Sequence, residues 1–149
     1  MADVSKVGLG LPPYVFVVER VKIKEFAEAI GEKKPVFLTK EAALAEGYLD
    51  IPCPPTFITL ALQEFTGAYL KAFEALGVSL KNVLHGEEEY EYLDEIYAGD
   101  RLTCDMHFES IVEKKTKTGP MDLITLRTLF FNQEGKEVMR AKSLIIETQ

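Results

Sequence analysis

Ile58-Thr-Leu-Ala-Leu-Gln-Glu-Phe-Thr-Gly-Ala-Tyr-Leu-Lys-Ala-Phe-Glu-Ala-Leu76 is the stretch on which the fold turns. Ile58, Ala61, Leu62, Phe65, Tyr69, Ala72, Phe73 and Leu76 recur at helical spacing, and Leu60, Ala68, Leu70 and Ala75 widen the apolar arc. Gln63, Glu64, Lys71 and Glu74 are too few to make a generous solvated face. The pattern predicts one long helix over residues 58–76, closed by Gly77 and enclosed by other elements. A flat sheet covers a single stripe of such a helix, so enclosure calls for a curved one.

Outward from the helix, the order of elements supplies that sheet. Tyr14 to Val18 is β-branched and aromatic and predicts a first strand. Ile23, Phe26, Ala27 and Ile30 have helical spacing before Gly31, and Thr39 caps a short helix from Lys40 to Glu46 that Gly47 ends. Ile51-Pro-Cys-Pro-Pro-Thr-Phe57 has three prolines and predicts an extended, irregular turn. Beyond Asn82 the chain reads as four antiparallel strands. In residues 86–94, Tyr90 and Tyr92 share one face and Glu87, Glu89 and Glu91 the other. Arg101 to Glu109 alternates, Met121 to Phe131 is apolar on both parities and predicts a central strand covered on both faces, and Val138 to Glu147 follows a hairpin turn at Asn132–Gly135. The expectation is a single α+β domain over residues 1–149, a curved antiparallel sheet wrapped around one long central apolar helix.

Composition narrows the function classes. Hydrophobic residues make up 47% and charged residues 28% of the 149 residues, a globular balance. A formal charge of −7 with no basic stripe argues against nucleic acid. No apolar stretch approaches the roughly 20 residues of a membrane span, and the start of the chain shows no apolar signal segment. Cys53 and Cys104 lack zinc-ligand spacing and are expected to be free thiols in a reducing, cytoplasmic protein.

Three stretches, in this order and spacing, carry a resemblance to a known family: Phe26-Ala-Glu-Ala-Ile-Gly-Glu-Lys-Lys-Pro-Val-Phe37 with Gly47-Tyr48, Pro54-Pro-Thr-Phe57 leading into the helix, and His85-Gly-Glu-Glu-Glu-Tyr-Glu-Tyr92 with Ala98-Gly-Asp-Arg101. Nearly the whole chain resembles the MaoC-like dehydratases and (R)-hydratases of the hot-dog superfamily, in particular their N-terminal FAS1-like dehydratase domain. The resemblance implies a hot-dog fold and reversible addition of water to a 2-enoyl thioester. Active members resemble G-D-x-N-P-hydrophobic-H in the first stretch, where Asp and His activate water. Here Gly31 and Pro35 match, whereas Glu32 stands in the Asp position, Lys34 in the Asn position and Phe37 in the His position.

Phe37 has no proton to transfer. A second departure lies at the helix start, where the resemblance implies backbone donors for the thioester carbonyl. Pro54 and Pro55 have no N–H, so only Thr56 or Phe57 is left to donate. No catalytic residue is therefore expected. The weak candidates are Glu32, with a solvated helix end as its plain alternative; His85, otherwise a turn residue; and Glu64, otherwise paired or at a dimer seam. His107 reads as a surface residue. The resemblance implies acyl-binding positions at Phe37, Tyr48, Pro55, Thr56 and Phe57.

Three functions remain open. The favoured one is the non-catalytic, tunnel-forming half of an (R)-3-hydroxyacyl-thioester dehydratase, working in a heterodimer with a catalytic MaoC-like subunit. The others are a self-sufficient homodimeric hot-dog dehydratase or thioesterase, and a non-enzymatic acyl-thioester binding module. None implies a cofactor or a metal, because acyl-CoA or acyl carrier protein enters as substrate.

Overall fold

The computed structural model describes residues 2–62, 67–117 and 119–148. Its elements follow the expected order. Strand β1 (Tyr14–Val17) leads to α1 (Arg20–Ala29) and α2 (Lys40–Ala45). Two helical segments come next, α3 (Thr59–Leu62) and α4 (Ala68–Leu76). Four strands complete the chain: β2 (Val83–Tyr92), β3 (Arg101–Thr116), β4 (Gly119–Phe131) and β5 (Glu137–Thr148).

The five strands form one antiparallel sheet in the order β1-β3-β4-β5-β2. Strict alternation turns one face of each strand inward. Leu102, Cys104, Met106 and Phe108 of β3 join Ile124, Leu126 and Phe130 of β4 and Met139, Ala141 and Ile145 of β5 in a single buried cluster with Tyr69, Ala72, Phe73 and Leu76 of α4. Bulges at Phe108/Ser110, His85/Glu87 and Phe130/Phe131 interrupt the register, and bulges bend and twist a sheet. The N-terminal segment is pinned beneath by Ala2 N–H to the buried carboxylate of Asp122 (2.8 Å) and Asp3 N–H to Leu76 O (3.0 Å).

Three expectations are corrected. The helix over residues 58–76 is present as two described segments, and Gly67 enters α4 at φ +62°, a left-handed conformation that interrupts an α-helix and suits glycine. Nor is α4 enclosed all round, since Leu70, Lys71, Glu74 and Ala75 are exposed in the single chain. Strand β4 is central but covered on one face only. On its other face Met121, Leu123, Leu129 and Phe131 are half-buried and Arg127 is exposed, because no second layer of described residues covers that side.

Asp50 ties the helical half of the chain together. Its carboxylate accepts two hydrogen bonds from Arg20 at the start of α1 (2.6 and 3.0 Å), an ion pair from Lys40 at the start of α2 (2.9 Å), and the amide of Ile51 (2.7 Å). The Arg20 guanidinium holds the Asp50 carboxyl well below the usual carboxylate range. A depressed carboxyl contributes stability that is complete above its unfolded pKa near 4 and is lost as the pH falls below it. Asp50→Asn is expected to cost about 1–2 kcal/mol at pH 7, after discounting for the solvent exposure of Arg20 and Lys40. Urea titrations at neutral pH and at pH 3 check this. A variant as unstable relative to wild type at pH 3 as at pH 7 would contradict it.

Candidate functional site

The proline-rich turn is strapped to the segment between β2 and β3. Cys53 N–H donates to Ile96 O (2.9 Å), Ala98 N–H to Ile51 O (2.9 Å), and Pro52 bridges Tyr97. Between these straps opens a cleft of about 480 Å³. Phe37, Tyr48, Pro52, Cys53 and Pro55 form one wall, with Tyr92 and the acidic residues Asp94 and Glu95 opposite. The Tyr92 hydroxyl donates to Pro55 O (2.6 Å), locking the two walls together. Burial pushes the Cys53 thiol and the Tyr92 phenol up, so both stay protonated at neutral pH. Asp94 is ion-paired with Lys136, which lowers its pKa. Among the described residues lining this cleft there is no imidazole.

Phe37, Tyr48 and Pro55, three of the five expected acyl-binding positions, thus line one cleft. The other candidates lie differently. Thr56 is exposed at the turn beyond Pro55. Phe57 is corrected from a cleft residue to a core residue: its ring is fully buried, 5.6 Å from Phe26 edge to face and 6.1 Å from Phe16. Its amide donates to Pro54 O (2.9 Å), so this backbone donor is already committed inside the turn. Glu32 caps its own loop, with Oε1 accepting from the amides of Lys33 and Lys34 (2.9 Å each). Those bonds, that of Lys34 foremost, lower its pKa and weaken it as a base. Glu64 lies outside the described residues.

His85 belongs to a second cluster. Its Nε2 stands 2.8 Å from Glu88 Oε1, and the same carboxylate accepts from the hydroxyls of Tyr69 (2.6 Å) and Ser143 (2.9 Å). The Tyr69 and Ser143 oxygens are 2.5 Å apart. Ser143 is buried, Glu88 largely so, and burial raises the Tyr69 phenol, which remains a neutral donor. An ionised carboxylate only accepts, so Nε2 is the donor in this contact. A cleft of about 600 Å³ opens beside the cluster, walled by Leu70, Phe73, Leu80, Val83 and Ile145.

Alternation along residues 85–92 puts His85 on the face of Glu87, Glu89 and Glu91, but it lies on the opposite one. The bulge at Gly86 pairs His85 with Ile145 and Glu87 with Leu144, moving the imidazole inward. A Cβ at Gly86 would sit 3.0 Å from Leu144 O, so the glycine permits this close passage. A glycine within a strand pattern was the one available signal.

A helix seated in a curved antiparallel sheet, with a cleft at the helix start, is the architecture of the hot-dog fold. The chain belongs to the FAS1-like dehydratase domain family, whose pattern matches residues 5–141. A protein named UPF0336 from Saccharopolyspora erythraea is 37% identical over 145 residues, 97% of this chain and 90% of that protein. Among solved structures, a chain of the C-terminally truncated HadBC (3R-hydroxyacyl-ACP dehydratase) complex of Mycobacterium tuberculosis superposes with a TM-score of 0.78 at 28% identity, covering 92% of this chain and 95% of that one. A MaoC-like dehydratase gives 0.79 at 26% identity, and there 97% of this chain matches 43% of the longer protein.

Proposed function

We propose that this chain is the non-catalytic, acyl-binding half of a cytoplasmic (R)-3-hydroxyacyl-thioester dehydratase and works with a catalytic hot-dog subunit. The carrying observation is the cleft itself: Phe37 occupies its wall where the resemblance implies a histidine, and the residues around it offer no base suited to neutral pH. In the overall reaction a (R)-3-hydroxyacyl thioester loses its α-proton and 3-hydroxyl as water and yields a 2-enoyl thioester. A partner's Asp and His would move that proton, while Phe37, Tyr48 and Pro55 hold acyl chain away from water. Coenzyme A or acyl carrier protein is the substrate's handle, and the chemistry calls for no redox group or metal. Similarity to one chain of a two-subunit dehydratase, and to under half of a longer MaoC-like protein, supports the division into halves.

Crotonyl-CoA hydration provides the test. The chain alone is expected to stay at the buffer blank, and activity should appear on co-expression with a hot-dog subunit bearing the Asp/His pair. Turnover by the isolated chain at a rate ordinary for hydratases would sink the reading. One observation favours a self-sufficient homodimer instead, namely the imidazole of His85 oriented by Glu88. In an active preparation of the chain alone, His85→Ala would then abolish turnover.

A further inference from the structure

The cleft beside His85 is distinct from the one at Phe37, and the two share no lining residue. Its volume of about 600 Å³ falls in the range of small-molecule sites. So does its make-up, five apolar side chains with polar atoms gathered at one place. Two of the five, Leu70 and Leu80, are about half exposed, large apolar groups left in water.

The polar place is His85. The carboxylate of Glu88 already accepts from the hydroxyls of Tyr69 and Ser143, both on buried residues. His85 adds a third donor from a ring that is 44% exposed and lines the cleft. Bringing it there takes the break in the ladder at Gly86. With Nε2 engaged by Glu88, a ligand meets the other ring nitrogen. Among the described residues nothing bonds Nδ1, and in a neutral imidazole that atom accepts. Glu88 also decides what stays out. A ligand anion would set a second negative charge beside a largely buried carboxylate and exchange water for an apolar wall, and both are unfavourable. A neutral O–H donor meets neither penalty.

We propose that this cleft binds an uncharged aliphatic chain bearing a hydroxyl group, with the chain against Leu70, Phe73, Leu80, Val83 and Ile145 and the hydroxyl donating to Nδ1 of His85. Glu88 is a positioning residue that fixes the ring through Nε2. The proposal goes beyond the two-subunit reading, because it concerns a different cleft and holds whether or not the chain takes part in dehydration.

The titratable groups around the imidazole are Glu88 on β2 and Tyr69 on α4, while β5 presents Ser143 and Ile145 and the segment before β2 presents Leu80. The probes are 1-octanol, its methyl ether and octanoate, each titrated into the chain alone while the imidazole signals are followed by NMR. The chain has two histidines, so His107 on β3 serves as the internal control. At pH 8 octanol is expected to shift the His85 signals and leave those of His107 in place. It should bind about tenfold more tightly than the ether, which cannot donate, and more tightly than octanoate. At pH 5 a ring protonated on both nitrogens donates to either oxygen, so the advantage of alcohol over ether should disappear. His85→Phe should remove the same advantage at pH 8. Octanol that leaves His85 unmoved at saturation, an ether or octanoate that binds as tightly at pH 8, or an advantage unchanged at pH 5 overturns the proposal. These wild-type comparisons decide it even where the variant fails to fold. Hydration of crotonyl-CoA by the chain alone bears only on the two-subunit reading.

Discussion

Phe57→Ala is expected to lower the unfolding free energy by about 4 kcal/mol, within the usual range for removing a buried phenylalanine ring. The side chain has no exposed surface and packs against Phe16 of β1 and Phe26 of α1, so three parts of the chain converge on it. Alanine would leave a cavity whose lining belongs to different elements and cannot readily collapse. Phe57 ends the proline turn that walls the cleft and its amide bonds Pro54 O, so the Tyr92–Pro55 lock should loosen as well. Urea denaturation measures the loss, and Phe57→Leu should recover most of it. A change below about 1 kcal/mol would show that the ring is not the keystone described.

The second large effect is expected at Glu88. Glu88→Ala removes the acceptor shared by Tyr69 and Ser143 and leaves two buried hydroxyls with only each other. Leaving buried polar groups short of partners costs on the order of 3 kcal/mol here. Tyr69→Phe combined with Ser143→Ala removes the stranded hydroxyls, so adding Glu88→Ala to that background should cost far less than the single change does. Equal costs in both backgrounds would mean that the three side chains do not act as a unit. His85 supplies a local readout: loss of its carboxylate partner should alter its imidazole NMR signals and free Nε2.

The legible and illegible parts of this chain divide by the range of the interactions that fix them. Thr39 capping a helix at Lys40, Gly47 and Gly77 ending helices, and the alternation from Leu102 to Phe108 are local matters, settled within a turn or a strand. The cleft was partly legible because Phe37, Tyr48 and Pro55 lie in stretches whose order carried the resemblance. Phe57 misled, since an aromatic residue at the end of a proline turn reads equally as wall or as core. Only its contacts with residues 31 and 41 positions away chose the core. The helix over residues 58–76 was correct in its apolar face and wrong in its continuity, because periodicity does not record that Gly67 adopts a left-handed φ.

By itself the sequence determined the succession of elements and the need for a curved sheet over an apolar helix, which follow from side-chain type and short-range periodicity. The expectation that Phe37 stands where a histidine would move a proton came from the resemblance. Tertiary structure alone decided that Tyr69, Glu88 and Ser143, far apart along the chain, share one carboxylate. It also decided the side on which His85 lies. One extra residue at Gly86 shifts the pleat and carries the imidazole from the outer face to the inner, and a two-residue period cannot register that slip until the strand is paired with β5.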